Sequence, residues 1–524
     1  MAVFALAFGL SAPVSAATQS TAFKQAIALA AQNDAEVLEF YKARDFRPIW
    51  TESSGTSRRR AFIEAAAGAG DHGLPTSRYD ANEIKASFAS IQSARQRGEL
   101  EVQTTQKFLQ YAQDIQSGIL EPSRLSADID TQAPRRGRIA TLEAFLKSNP
   151  RAFLKALPPK HPDYARLMKE KARLEKVLGS GGWGDKVPNR KLKLGSNGNS
   201  VVALRARLTA MGHKNLGNSP EFDEGLEKAV TQFQIDHGLN PDGVAGGGTI
   251  DALNVSAQTR LQQVIIGLER QRWLNFDRGN RHIFVNQADQ RAFVMDNGKV
   301  TLDTRVVIGK ASSRYRTPEF NDEMTHMVVN PTWNVPQSIA SREYLPMLQK
   351  NPAALVRQGL RMYDASGRQV DSTQIDYSQF TPGQRFPFDL KQPPSSRNAL
   401  GLVKFMFPNR FNVYLHDTPS KSLFARDGRA FSHGCVRVQK PFDLAYTLLR
   451  KQTSDPKGQF HSILDTGRET VVDLVKPVPI YLTYHTAWVT PSGRPNYRDD
   501  IYGRDHIVFS ELAKAGVVLR AVRG

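Results

Sequence analysis

Cysteine is almost absent: Cys435 is the only one in 524 residues. A single thiol excludes an intramolecular disulfide and any zinc or iron–sulfur site built from several cysteines. Long apolar runs are missing too. No stretch beyond the first residues reaches the ~18 apolar positions that a membrane-spanning helix needs. Nor is there a basic arm. The 70 Lys and Arg against 51 Asp and Glu, a formal charge of +19, are spread through the chain, as at Arg58-Arg59-Arg60 and Arg135-Arg136. The excess favours polyanionic neighbours, but no motif accompanies it that would select nucleic acid. Disorder is excluded by 40% hydrophobic and 9% aromatic residues. A chain of this length implies roughly two to four domains.

The N-terminus bears on location. Ala2 to Val14 is small and apolar but too short to span a bilayer, and Val14-Ser15-Ala16 followed by Ala17 resembles a small-residue signal-peptidase site. Residues 1–16 are therefore expected to be a signal peptide. Its basic n-region is missing, so the start is taken as internal to a longer signal. The mature protein is expected to be periplasmic, exported and soluble, and peripheral to a membrane at most.

Residues 17–178 are mostly helical in pattern. Leu167, Met168, Leu174 and Leu178 repeat at helical spacing after Pro162, which suits a first helical turn. No catalytic constellation occurs there, and a helical scaffold is expected. Residues 179–192, rich in glycine and polar residues, form a linker. Next comes a compact three-helix unit over 193–256. One stripe is Val201, Leu204, Leu208 and Met211; a second is Leu226, Ala229, Val230 and Phe233; a third short helix begins near Thr249. Leu194-Gly195, Phe222-Asp223, Phe233-Gln234 and Asp242-Gly243-Val244 fall in an order that resembles three-helix peptidoglycan-binding modules. Gly246-Gly247-Gly248 stands where that family usually has Gly-Pro.

A connecting helix is predicted within 257–280: Ala257 to Trp273 reads as helical, with Leu261, Ile265 and Leu268 on one face. From 281 to 490 the texture changes to short β-rich runs: His282–Asn286, Arg291–Met295, Thr304–Ile308, Met327–Asn330, Val403–Phe407 and Asn412–Leu415. This predicts a mainly antiparallel β domain. A polar, proline-containing stretch at about 341–392 interrupts it and is expected to be an inserted, lid-like segment. Residues 491–524 are a C-terminal extension. The fold class is thus multidomain α+β.

The lone thiol sits in Ser432-His433-Gly434-Cys435-Val436-Arg437, and a β-like run delivers His416 upstream, followed by Asp417. A buried cysteine is often an inert small hydrophobe, but a thiol beside a base becomes a nucleophile. Either His433 or His416 could be that base on spacing alone. A glycine just before the thiol allows the tight backbone that aims N–H groups at an oxyanion. Arg437 suits a substrate carboxylate, because a guanidinium binds one through two parallel hydrogen bonds. A zinc site from His416, His433, Cys435 and Asp417 is disfavoured, because Asp417 directly follows His416 and would share its ion awkwardly.

His416 followed by Ser432-His433-Gly434-Cys435-Val436-Arg437 is similar to the signature of the L,D-transpeptidase (YkuD-type) catalytic domain. Asn330-Pro331-Thr332-Trp333-Asn334-Val335-Pro336, Asn398-Ala399-Leu400-Gly401, Phe407-Pro408-Asn409 and Tyr414-Leu415-His416-Asp417 resemble its large periplasmic branch. The resemblance implies that Cys435 is the nucleophile and His416 the general base. Ser432, His433 and Gly434 would shape the loop and the oxyanion hole. Arg437, Tyr414, Asn334 and Trp333 would contact substrate, and either the Asp417 side chain or a backbone carbonyl would orient His416. It further implies a cysteine-dependent acyltransferase with no cofactor or metal, acting on peptidoglycan stem peptides, and inhibition by carbapenem-type β-lactams. Crosslinking of third stem residues is the expected activity. The alternatives are an L,D-carboxypeptidase or protein-anchoring enzyme using the same acyl-enzyme, and a non-catalytic wall-binding scaffold.

Overall fold

The computed structural model describes residues 16–522. The apolar stretch Ala2–Val14 and its cleavage motif up to Ser15 lie outside them.

The N-terminal region is helical, organised around the helix Ala94–Ser117, whose N-terminus Ser93 caps by accepting the Gln96 N–H. Trp50, Phe62, Phe108 and Phe145 pack there with ring centroids 4.4–5.8 Å apart. Glu101 is buried among them and is tolerated because the N–H groups of Ile49, Trp50 and Thr51 all donate to its carboxylate. Helices Asn199–Met211, Glu224–Asp236 and Gly247–Asn254 follow, and both apolar stripes lie in their shared core. The glycine triplet starts the third helix without a side-chain cap.

Helix Ala257–Trp273 has the bounds its periodicity predicts, yet from Gln263 onward it is buried on every side, including Glu269, Arg270 and Arg272. It packs against helices Pro162–Gly179 and Arg504–Lys514 and the strand Ala487–Val489. The charges survive burial through pairing, as Arg272 with Glu269 at 2.8 Å and Arg270 with Glu319 at 2.9 Å.

The large sheet contains β1 (Arg281–Asn286), β2 (Arg291–Asp296), β3 (Lys299–Gly309), β4 (Phe320–Val329), β5 (Val403–Met406), β6 (Leu415–His416), β7 (Ala430–Ser432), β8 (Val436–Val438) and β9 (Thr470–Thr483). Their order is β7-β3-β8-β6-β5-β4-β9-β1-β2, and β2 also pairs with β3, so the sheet closes on itself. Pairing is antiparallel except for β1–β9, β6–β8 and β3–β7. The core inside is apolar, including Val285, Met327, Phe405, Leu415 and Val436.

Two segments differ from expectation. Asn412–Tyr414, expected as strand, is loop; the strand begins only at Leu415. The Asn409 side chain causes this, bonding the Phe407 and Val413 carbonyls and the Phe411 and Val413 N–H groups, while Asn412 turns at φ +52°. The expected start of the C-terminal extension falls in the turn of a hairpin, Ala487–Val489 with Pro495–Tyr497.

The inserted segment is a small unit with its own sheet and core. Trp333–Asn334 pairs with Asp389–Gln392, which pairs with Arg361–Tyr363, then Gln369–Val370. Leu345, Leu348, Met362, Tyr377 and Phe386 fill its core. Its base is tied by buried Asn398, whose amide donates to the carbonyls of Pro331 and Gln392 at 3.0 and 2.9 Å.

Candidate active site

The site sits where β6 and β8 run side by side. Their parallel register places His416 opposite Arg437, and Lys404 of β5 lies across from His416 on its other edge. The loop Ser432–Cys435 leads directly into β8. Ser432 Oγ donates to the Cys435 carbonyl and accepts the Gly434 N–H at 3.2 Å, closing a tight turn in which Gly434 takes φ +118°. The N–H groups around Gly434 and Cys435 were expected to line an oxyanion hole together. The Gly434 N–H is already engaged by Ser432, which leaves that of Cys435.

Cys435, His416, Arg437, Tyr414, Ser432, His433, Trp333 and Asn334 all line one cavity of about 740 Å³, roofed by Glu343 and Tyr344 of the insertion. Asp417 and Gly434 stand behind its wall. The half-buried thiol donates to the Asn412 carbonyl (3.7 Å), not to the His416 ring. Tyr414 lines the same cavity, its ring edge-on to that of His416 with centroids 5.7 Å apart.

His416 is 4% exposed, and its Nδ1–H donates to the Asp417 carbonyl at 2.5 Å. This leaves Nε2 as the basic nitrogen. Of the two orienters left open by the sequence, the backbone carbonyl holds the ring. The Asp417 carboxylate instead accepts the N–H groups of Leu402 (3.0 Å) and Thr418 (2.7 Å) and pairs with Lys421. His433 turns aside to Glu343, Nε2 to Oε1 2.6 Å, with Tyr315 edge-on to its ring at 4.7 Å. The four side chains weighed for zinc therefore face different partners. Among the described residues no group of three or more His, Cys, Asp or Glu is placed to hold a metal ion. Nothing in the sequence pointed to Glu343, Tyr315 or the Asn412 carbonyl; only the fold brings them here.

Burial pushes the Cys435 thiol up to about 11, while the Tyr414 donors and the Arg437 charge pull the other way. Burial pushes His416 down to about 3, reinforced by the Arg437 charge and opposed by the Asp417 carbonyl. At neutral pH the resting pair is thus a thiol and a neutral imidazole. Arg437 makes no ion pair with any described acidic group, and its buried Nε has no partner.

Gly401 packs closely against Asp417, the residue after His416. It has φ +62°, and a Cβ there would lie 2.3 Å from the Asp417 carboxylate. Gly401→Ala is expected to cost about 1–3 kcal/mol and to displace the segment that holds His416. Calorimetry should show a lowered melting transition, with a loss of acyl transfer larger than the loss of folded protein explains.

Residues 280–472 match the model of the L,D-transpeptidase catalytic domain (YkuD). Residues 35–170 match a scaffold domain, and 197–253 a domain described as "Putative peptidoglycan binding domain". A curated Haemophilus influenzae protein named "Putative L,D-transpeptidase" is 34% identical over 223 residues, 43% of this chain and 44% of its own length. The chain thus matches less than half the length of that relative. Two solved structures are similar in part. An L,D-transpeptidase from Xylanimonas cellulosilytica is 16% identical, covering 57% of this chain and 98% of its own at a TM-score of 0.17. One from Stackebrandtia nassauensis is 14% identical, covering 56% and 94% at a TM-score of 0.22. TM-scores this low carry no structural inference. Segments of this chain thus match, in order, a scaffold domain, a putative peptidoglycan-binding domain and the L,D-transpeptidase (YkuD) catalytic domain, in keeping with the helical N-terminal region and the mainly antiparallel sheet that follows it.

Proposed function

We propose that the protein crosslinks peptidoglycan by L,D-transpeptidation through Cys435. The observation that carries this is one cavity holding a lone thiol, an imidazole with Nε2 free to accept a proton, and an arginine without an anionic partner. A stem tetrapeptide supplies what these groups lack. Its carboxylate pairs with Arg437, and its last amide carbonyl lies at the sulfur. Pairing Arg437 also removes one of the causes that hold His416 weakly basic, so the base strengthens when substrate is present.

In the first half-reaction His416 Nε2 takes the thiol proton and sulfur attacks the carbonyl carbon of the third residue. The resulting oxyanion is stabilised by the Cys435 N–H, a donor whose loss typically costs about 10²–10³ in rate. The tetrahedral adduct collapses, the C–N bond breaks, and His416 returns its proton to the departing D-alanine amine. A thioester remains. In the second half-reaction the side-chain amine of another stem attacks the thioester and gives its proton to His416, and the thiol leaves. No cofactor takes part in these steps. The match to a putative peptidoglycan-binding domain supports an assembled polymer as substrate and, with it, a site of action outside the cytoplasmic membrane. Among the described residues no helix is long and apolar enough to cross that membrane.

Mass spectrometry of the protein incubated with a purified disaccharide-tetrapeptide tests this. Dimers lacking one D-alanine are expected. Tripeptide monomers alone would replace crosslinking by carboxypeptidase action, with water as acceptor, and unchanged substrate would favour a binding scaffold.

A further inference from the structure

The catalytic loop is braced from behind by a residue far away in sequence. Thr317 lies between β3 and β4 and is fully buried. Its hydroxyl accepts the Gly309 N–H at 2.9 Å and donates to the Gly434 carbonyl at 2.8 Å. That carbonyl belongs to the peptide bond whose nitrogen is that of Cys435. The peptide is trans, so the Cys435 N–H points opposite to the carbonyl that Thr317 holds. Fixing one end of a rigid plane fixes the other.

Thr317 is itself held at both backbone groups. Its N–H donates to the Tyr502 hydroxyl at 3.3 Å, and that hydroxyl donates to the Gly309 carbonyl at 2.7 Å. Its carbonyl accepts from Arg504 Nη2 at 2.7 Å. Arg504 is fully buried and paired with Asp128 of the helical region at 3.0 Å. The approach is close: a Cβ on Gly309 would lie 1.8 Å from the Tyr315 carbonyl, so only glycine lets the Tyr315–Thr317 segment come this near the end of β3.

We infer that Thr317 is a positioning residue for acyl transfer: its hydroxyl orients the Gly434–Cys435 peptide so that the Cys435 N–H meets the developing oxyanion. Tyr502 and Arg504, from the C-terminal extension, hold Thr317 in turn. This rests on the reading of Cys435 as nucleophile.

Two reagents separate orientation of the peptide from integrity of the thiol. A carbapenem acylates through an oxyanion: sulfur attacks the lactam carbonyl, the ring C–N bond breaks, and nitrogen takes a proton. Iodoacetamide alkylates by displacement: an S–C bond forms at the methylene, iodide leaves, and no oxyanion arises. The two rates are measured by intact-protein mass at one pH on the full chain. Thr317→Val removes the hydroxyl at constant shape. It is expected to slow acylation about tenfold to a hundredfold, with alkylation within about twofold of the parent. Thr317→Ser keeps the hydroxyl and should restore acylation to within a few fold. Tyr502→Phe removes one anchor of Thr317 and should move the acylation-to-alkylation ratio the same way, by less; it also serves if the valine variant does not fold. An unchanged ratio in both variants overturns the inference, as does a parallel fall of both rates that serine fails to rescue. If neither reagent modifies Cys435 in the parent protein, the assignment of the nucleophile fails first.

Discussion

Replacing Cys435 by alanine is expected to abolish acyl transfer, with a loss on the order of 10⁶-fold, the scale seen when a covalent nucleophile is removed. No other thiol exists in the chain to substitute for it. Intact mass after incubation with a tetrapeptide donor should show an acyl adduct on the parent protein and none on Cys435→Ala. A normal adduct on the variant would sink the covalent mechanism. The same thiol has an expected pH signature. Burial disfavours the charged sulfur, so the thiolate is scarcer at pH 7 than for an ordinary cysteine and rises about tenfold per pH unit until pH approaches about 11. Alkylation of the substrate-free protein should climb through that range. A plateau at or below pH 8 would mean a preformed thiolate–imidazolium pair, contrary to the directions of both shifts.

His416→Gln is expected to slow acyl transfer from an amide donor about 10²–10⁴-fold at neutral pH. Two separate duties are lost: accepting the thiol proton and protonating the departing amine. The second matters only where the leaving group needs a proton. An activated thioester donor, whose leaving thiolate is stable unprotonated, should therefore suffer less than the amide. Stopped-flow measurement of both donors on both proteins distinguishes the roles. Equal losses on the two donors would assign His416 to holding the loop in shape instead of moving protons.

The contrast between His416 and His433 shows how far local sequence reaches. Both histidines lie near the thiol in sequence, and spacing left both open as the base. The fold separates them by their partners. His416 Nδ1 is taken by the carbonyl of the next residue, a short-range consequence of the chain leaving β6. His433 is drawn off by Glu343, ninety residues earlier in the inserted segment. The Asp417 side chain next to His416 in sequence looks like an orienter, yet its lone pairs are spent on Leu402 and Thr418.

What was legible in the sequence by itself is the candidate nucleophile, its two candidate bases and the order of the parts. A lone cysteine within Ser432–Arg437, an upstream histidine, a three-helix module and a change from helical to strand period are all local patterns, and local patterns survive without knowledge of the fold. The bounds of Ala257–Trp273 were legible for the same reason: they depend on periodicity within one segment. Only the tertiary structure decided that this helix is buried on all sides from Gln263 onward, because its charged side chains find partners within it, as Arg272 with Glu269, and on other elements, as Arg270 with Glu319. Only it closed the sheet through β2 and β3, and only it paired β6 with β8, which brings the imidazole into the same cavity as the thiol. The support of the Gly434 peptide by Thr317, 117 residues away, was invisible for the same physical reason. A hydroxyl that bridges two backbone groups leaves no periodicity, composition or spacing to read, since its partners are chosen by packing and not by the neighbouring chain.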